Sequence, residues 1–131
     1  MNKLEKDSVT GISALLVHAA KIDEIYTEHE KDLVKNFIKS YIKDNDVNEI
    51  LKKAEEIESN SNQLLNFTNI IKQNSMEIKK DIIEHLWKVI ISDNTVDQYE
   101  SNLMRRICGL IYFPDKLSGE IKLKLIQEIK K

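Results

Sequence analysis

Apolar residues recur three and four apart along most of the chain, the spacing that lines one face of a helix. Between Leu4 and Ile22 the stripe is Val9, Ile12, Leu15, Leu16, Ala19 and Ala20. Thr27 followed by Glu30 is a capping box, threonine as N-cap and glutamate at the third helical position. It predicts a second helix to about Lys43 that buries Leu33, Val34, Phe37, Ile38 and Tyr41. Asp44-Asn45-Asp46 reads as a turn. A third helix, Val47 to Ser59, has a narrow stripe of Val47, Ile50, Leu51, Ala54 and Ile57 on an otherwise charged surface. The polar run Ser59-Asn60-Ser61-Asn62 leads into a short apolar helix, Leu64 to Ile71. Ser75 is the expected N-cap of a fifth helix, which runs to about Ile91 with Ile78, Ile82, Ile83, Leu86, Val89 and Ile90 inward and Trp87 beside them. Asp97 and Glu100 repeat the capping arrangement and open a helix to about Tyr112, which Pro114 stops. A last amphipathic helix, about Ser118 to Lys130, carries Ile121, Leu125 and Ile129. The expectation is an all-α fold of about seven helices with no strand.

One segment of that pattern is written twice, seventy residues apart. Asp23-Glu24-Ile25-Tyr26-Thr27-Glu28-His29-Glu30, followed by Leu33, is answered by Asp93-Asn94-Thr95-Val96-Asp97-Gln98-Tyr99-Glu100, followed by Leu103. Each copy sets a carboxylate at the end of an apolar helix, then an apolar residue, a capping residue, a glutamate and a leucine at matching places. The unit is a helix, an acidic turn and a second helix. The chain therefore reads as one domain over residues 1–131, with a first half of about 4–59 and a second of about 62–131.

Size and composition fit that reading. A chain of 131 residues with 41% hydrophobic and 32% charged residues can bury a core and is not a disordered composition. Three Gly and one Pro suit long helices joined by short polar turns. The net charge of -2 argues against a nucleic-acid partner, which calls for a basic face. Cys108 is the single cysteine, so neither an internal disulfide nor a cysteine-based metal motif can form, and it falls on a helix stripe as a small core residue. The start of the chain lacks the apolar run of a signal peptide, and no stretch is long enough for a bilayer span. A cytoplasmic protein, monomeric or weakly dimeric, is expected.

On the strength of these residues the chain resembles the tellurite-resistance TerB family, whose turn reads roughly Asp-Gly-x-aliphatic-Asp-x-x-Glu once in each half. The second half matches best: Leu86-Trp87-Lys88-Val89 leads into Asp93, Val96, Asp97, Tyr99 and Glu100, then Leu103-Met104-Arg105-Arg106-Ile107. Leu65-Asn66-Phe67-Thr68 is similar to the family's central helix. The resemblance covers about residues 8 to 125. It departs where Glu24 and Asn94 stand for the turn glycine and where Thr27 stands for the second aspartate. It implies an all-helical fold with internal pseudo-symmetry and links to stress response; a protein partner is expected as well. It also implies a non-enzymatic role in which the acidic turns bind a divalent cation, carried here by Asp23, Glu30, Asp93, Asp97 and Glu100.

Two readings of those turns compete. Clustered carboxylates supply the oxygen ligands that calcium or magnesium prefers over zinc. Yet the second turn is no EF-hand loop, because Met104 sits where its closing glutamate would fall. Against metal binding, Asp97 and Glu100 are explained by helix capping alone, though Asp93 and Asp23 lie before the caps and are not. His18, His29 and His85 have no metal-ligand spacing, no phosphate loop or nucleophile motif occurs, and no organic cofactor is expected. The expectation is a cation-binding, non-catalytic module; the alternative is a metal-independent interaction module whose apolar groove between the halves receives a partner.

Overall fold

The computed structural model describes residues 4–22, 26–61, 65–93 and 98–129, with the backbone alone for 44, 93, 98, 99 and 129. Among them the chain forms seven α-helices: α1 (Lys6–Ala20), α2 (Glu28–Lys39), α3 (Val47–Asn60), α4 (Leu65–Lys72), α5 (Met76–Ile90), α6 (Gln98–Ile111) and α7 (Asp115–Ile129). Short 3-10 turns, Asp44–Asp46 and Ile91–Asp93, precede α3 and follow α5. The fold is all-α, as the periodicity implies. The register of the repeat is visible in the helices themselves. Moving α1 along by seventy residues reproduces the bounds of α5, and α2 and α3 fall on α6 and α7 to within two residues. Helix α4 has no counterpart; it lies against α1 and α6 and so joins the two halves.

The caps follow the sequence closely. Thr27 Oγ1 accepts from the Glu30 amide at 3.1 Å, while Glu30 Oε1 accepts from the Thr27 amide at 2.8 Å, which closes the expected box. Ser75 Oγ accepts from the Ile78 amide at 3.3 Å. The end of α6 is less ordinary. Tyr112 has φ 59, the left-handed conformation usually left to glycine. The Phe113 amide reaches the Cys108 carbonyl at 2.9 Å and the Tyr112 amide the Gly109 carbonyl at 3.4 Å, the paired bonds of a Schellman end.

Three expectations need correction. Helix α2 ends at Lys39, not Lys43, because Ser40 turns its hydroxyl back on the Phe37 carbonyl at 2.6 Å. Helix α7 begins at Asp115, three residues early. A proline's fixed φ suits the first turn of a helix, so Pro114 both ends α6 and starts α7, its carbonyl accepting from the Ser118 amide at 3.2 Å. Finally, α1 is not merely striped. Every residue from Val9 to Val17 is buried, Thr10, Gly11 and Ser13 included. It is the central helix, packed against α2, α3, α4 and α5, and such a helix is apolar or small all round. Gly11 lets α4 come close: a Cβ there would lie 2.4 Å from Ile70 Cδ1 of α4.

Candidate functional site

The acidic turns occupy the joints between α1 and α2 and between α5 and α6. Of the five carboxylates expected to hold a cation, Asp23 and Asp97 lie outside the described residues, as does the side chain of Asp93, whose backbone closes the 3-10 turn after α5. Glu30 and Glu100 are described. Both are buried, at 8% and 5% exposure, in the first turns of α2 and α6. Burial of a carboxylate is costly unless its oxygens are engaged. For Glu30 the engagement is the capping box, with Oε1 also 3.2 Å from Thr27 Oγ1. Among the described residues no three His, Cys, Asp or Glu side chains gather as a metal cluster.

Residues that neighbour the two turns in the chain meet at one cleft. A cleft of about 360 Å³ is lined by His29 and Leu33 from the start of α2, Lys88, Ile91 and Ser92 from the end of α5, and Leu125 and Glu128 from α7. Its lining combines apolar Leu33, Ile91 and Leu125 with polar His29, Lys88, Ser92 and Glu128. His29 and Leu33 lie just beyond the first turn; Ile91 and Ser92 lie just before the second. None of the five carboxylates expected to hold a cation lines this cleft among the described residues. A roomier hollow of about 810 Å³ lies elsewhere, between α1, α3 and α4, over Gly11, Ile57, Phe67 and Ile70.

Contacts that the sequence does not announce tie residues on either side of the first turn to α3. Glu58 of α3 accepts from Lys21 Nζ at 2.8 Å and lies 3.3 Å from His18 Nδ1. Tyr26 Oη donates to Glu55 of the same helix at 2.7 Å. Burial, then the hydrogen bond to Glu55, pushes the Tyr26 hydroxyl well above its ordinary pKa. At the far end of α2, Tyr41 Oη donates to Asp81 of α5 at 2.6 Å, and burial and Asp81 raise its hydroxyl similarly. His85 Nε2, 3.6 Å away, is the main reason the Asp81 carboxyl titrates below the usual range. The only hint of these partners in the sequence is the i, i+3 placement of Glu55 and Glu58 on the third helix.

The second half is tied differently. Trp87 Nε1 of α5 donates to Ser118 Oγ of α7 at 2.9 Å in a buried contact, and Lys122 Nζ stands 5.2 Å from the centre of the Trp87 rings. Cys108 is buried, as its place in the stripe implies, and burial pushes its thiol pKa up.

Compared with known protein families, the chain matches the model described as tellurite resistance protein TerB over residues 10–123. Neither the curated proteins nor the solved structures contain a match.

Proposed function

This chain belongs to the TerB family, and we propose that it is a non-catalytic module whose paired acidic turns take up a divalent cation and pass that event on through a protein contact. The cation is calcium or magnesium rather than zinc, held by Asp93, Asp97 and Glu100 of the second turn with Asp23 and Glu30 of the first. The observation that carries this reading is the shared cleft. Residues next to both turns line it, so charge neutralised there draws α2 toward the end of α5 and changes the surface they present together. A cytoplasmic setting and a monomer or weak dimer belong to the same proposal.

A second reading rests on Glu30. Its Oε1 already accepts from the Thr27 amide and hydroxyl, which accounts for a buried glutamate without a metal. On this view the turns only cap helices, and the cleft receives an apolar side chain of a partner.

Calorimetric titration of calcium, magnesium, manganese and zinc into chelator-treated protein separates the two. Saturable uptake that vanishes in the Asp93→Asn, Asp97→Asn double variant supports the first reading. No uptake at millimolar metal, with a variant that is merely less stable, leaves capping as the role of the turns.

A further inference from the structure

Near its end, α6 carries two residues that local stability would exchange. Gly109 lies in the last turn, where alanine favours the helix more, and a Cβ there would meet no neighbouring atom within 4 Å. Its φ is not positive, so neither packing nor backbone conformation calls for glycine at this place. Three residues on, the reverse holds. Tyr112 takes the left-handed conformation of the Schellman end, φ 59, which glycine fills without strain. Its ring gains no burial in return, because Tyr112 is 67% exposed. Strained backbone under a bulky residue gathers at functional sites, where it is kept for a purpose other than folding.

The same face concentrates positive charge. Arg105 and Arg106 lie four and three residues before Gly109, hence on its side of the helix. Both are exposed, and neither has an ion pair among the described residues. They are the two arginines of a chain that holds eighteen lysines. Lys72 of α4, the helix packed beside α6, stands 4.9 Å from the centre of the Tyr112 ring. No Asp or Glu occurs from Ser101 to Pro114, nor in α4. A chain of net charge -2 thus collects a basic strip with an exposed aromatic at its end. The repeat does not require it: the matching positions of the first half are Lys35, Asn36, Lys39 and Ile42, with neither arginine nor aromatic.

We propose that Arg105, Arg106, Gly109 and Tyr112, with Lys72, form a docking surface for an acidic segment of a partner protein. Arginine's planar fork takes a carboxylate by two hydrogen bonds, and tyrosine and arginine dominate binding hot spots. The bare Gly109 lets a partner approach closely between the guanidinium groups and the tyrosine ring. A few carboxylates match this strip, whereas nucleic acid or a charged bilayer would also meet the repulsion of a net-negative chain. The proposal rests on the protein contact in the reading above, but the surface shares no residue with the cleft and needs no cation.

Fluorescence anisotropy tests it with a short labelled peptide of glutamate and phenylalanine, titrated with the chelator-treated full chain. A lysine–phenylalanine peptide, duplex DNA and phosphatidylserine vesicles are compared under the same conditions. The expected result is saturable binding of the acidic peptide, weakened by salt, and no binding of the basic one. Affinity falls about tenfold in the Arg105→Gln, Arg106→Gln double variant and about fivefold in Tyr112→Gly and in Gly109→Ala. Lys35→Gln, at the matching place on α2, leaves it within about twofold. Tyr112→Gly and Gly109→Ala raise the melting temperature while they weaken binding, which loss of folding cannot do. No binding of the acidic peptide, equal binding by the arginine variant, or a lower melting temperature in Tyr112→Gly overturns the proposal. So does tighter binding of DNA or vesicles that the arginine variant abolishes, because the occupant is then a polyanion. Since no cation is present, failure of the cation reading in calorimetry leaves this result standing, and the reverse.

Discussion

The two halves of this molecule share a helical plan and differ in how they close it. In the first, α3 is fastened to the end of α1 by Lys21, His18 and Glu58 and to the start of α2 by Tyr26 and Glu55. In the second, α7 is fastened to the last turn of α5 by the buried Trp87–Ser118 bond, and the far end of α7 lines the cleft. The counterparts of Trp87 and Ser118 are Val17 and Asn48, which can form no such bond. Repetition of an apolar stripe and a cap is enough to repeat a helix, because those are local features read within a few residues. The ties between helices join positions tens of residues apart and are free to diverge. A polar, shape-specific site is built from the ties, so one half can be locked while its twin is left open.

The largest expected effect breaks the second tie. Trp87→Ala empties a buried, aromatic position and should cost about 3–5 kcal/mol in urea unfolding. Ser118→Ala leaves the indole N–H without its partner at a cost of about 1–3 kcal/mol. The first tie should matter less to stability: Lys21 is 41% exposed, and Lys21→Met should cost no more than about 1 kcal/mol by the same measurement. A first-half loss as large as that of Trp87→Ala would erase the distinction between an ionic and a packed closure.

Alkaline unfolding sharpens the contrast. Tyr26 and Tyr41 both have folded pKa values above the ordinary 10.0, so each favours folding fully below pH 10. That contribution is lost as the pH rises through the folded value, because the unfolded chain gives up the proton first. Stability should therefore decline above about pH 10, and Tyr26→Phe, Tyr41→Phe should show a shallower decline than the wild type in denaturant titrations across that range. Asp81 acts in the opposite direction. Its lowered pKa contributes stability above the ordinary 3.8 that disappears as the pH falls through the folded value, a loss that Asp81→Asn should abolish.

The smallest effect concerns α6 against α2. Gly109 has open space around its Cα, and its counterpart in α2 is Lys39. Gly109→Ala should raise stability by about 0.5–1 kcal/mol through helix propensity alone. No change in the urea midpoint would mean that the end of α6, with Tyr112 already in a left-handed conformation, is frayed in solution.

Much of the fold was legible for the reason the halves repeat. Thr27 with Glu30, Ser75, and the stripes of α2, α3 and α5 are short-range signals, and each lies where its spacing implies. The start of α7 is hard to place from sequence because Pro114 signals a stop, although proline is equally at home where a helix begins. Burial of every residue from Val9 to Val17 cannot be read from the stripe of α1, since Ser13 and Gly11 carry no mark of the four helices around them. The site was legible only as a set of carboxylates on turns. The cleft needed His29, Lys88 and Glu128 brought together from three helices, and the tie to α3 needed Glu58 matched to a lysine 37 residues away.

Trp87 is the one tryptophan of the chain, and its burial against α7 makes the protein's fluorescence a one-sided witness. Emission will register the closing of the second half and say little of the first. The first half has an optical handle in Tyr26, bonded to Glu55 within that half, whose ionisation is read as the absorbance change that Tyr26→Phe removes. A single cuvette can thus follow the two halves by separate colours, and the order in which those signals change is the order in which the repeat comes apart.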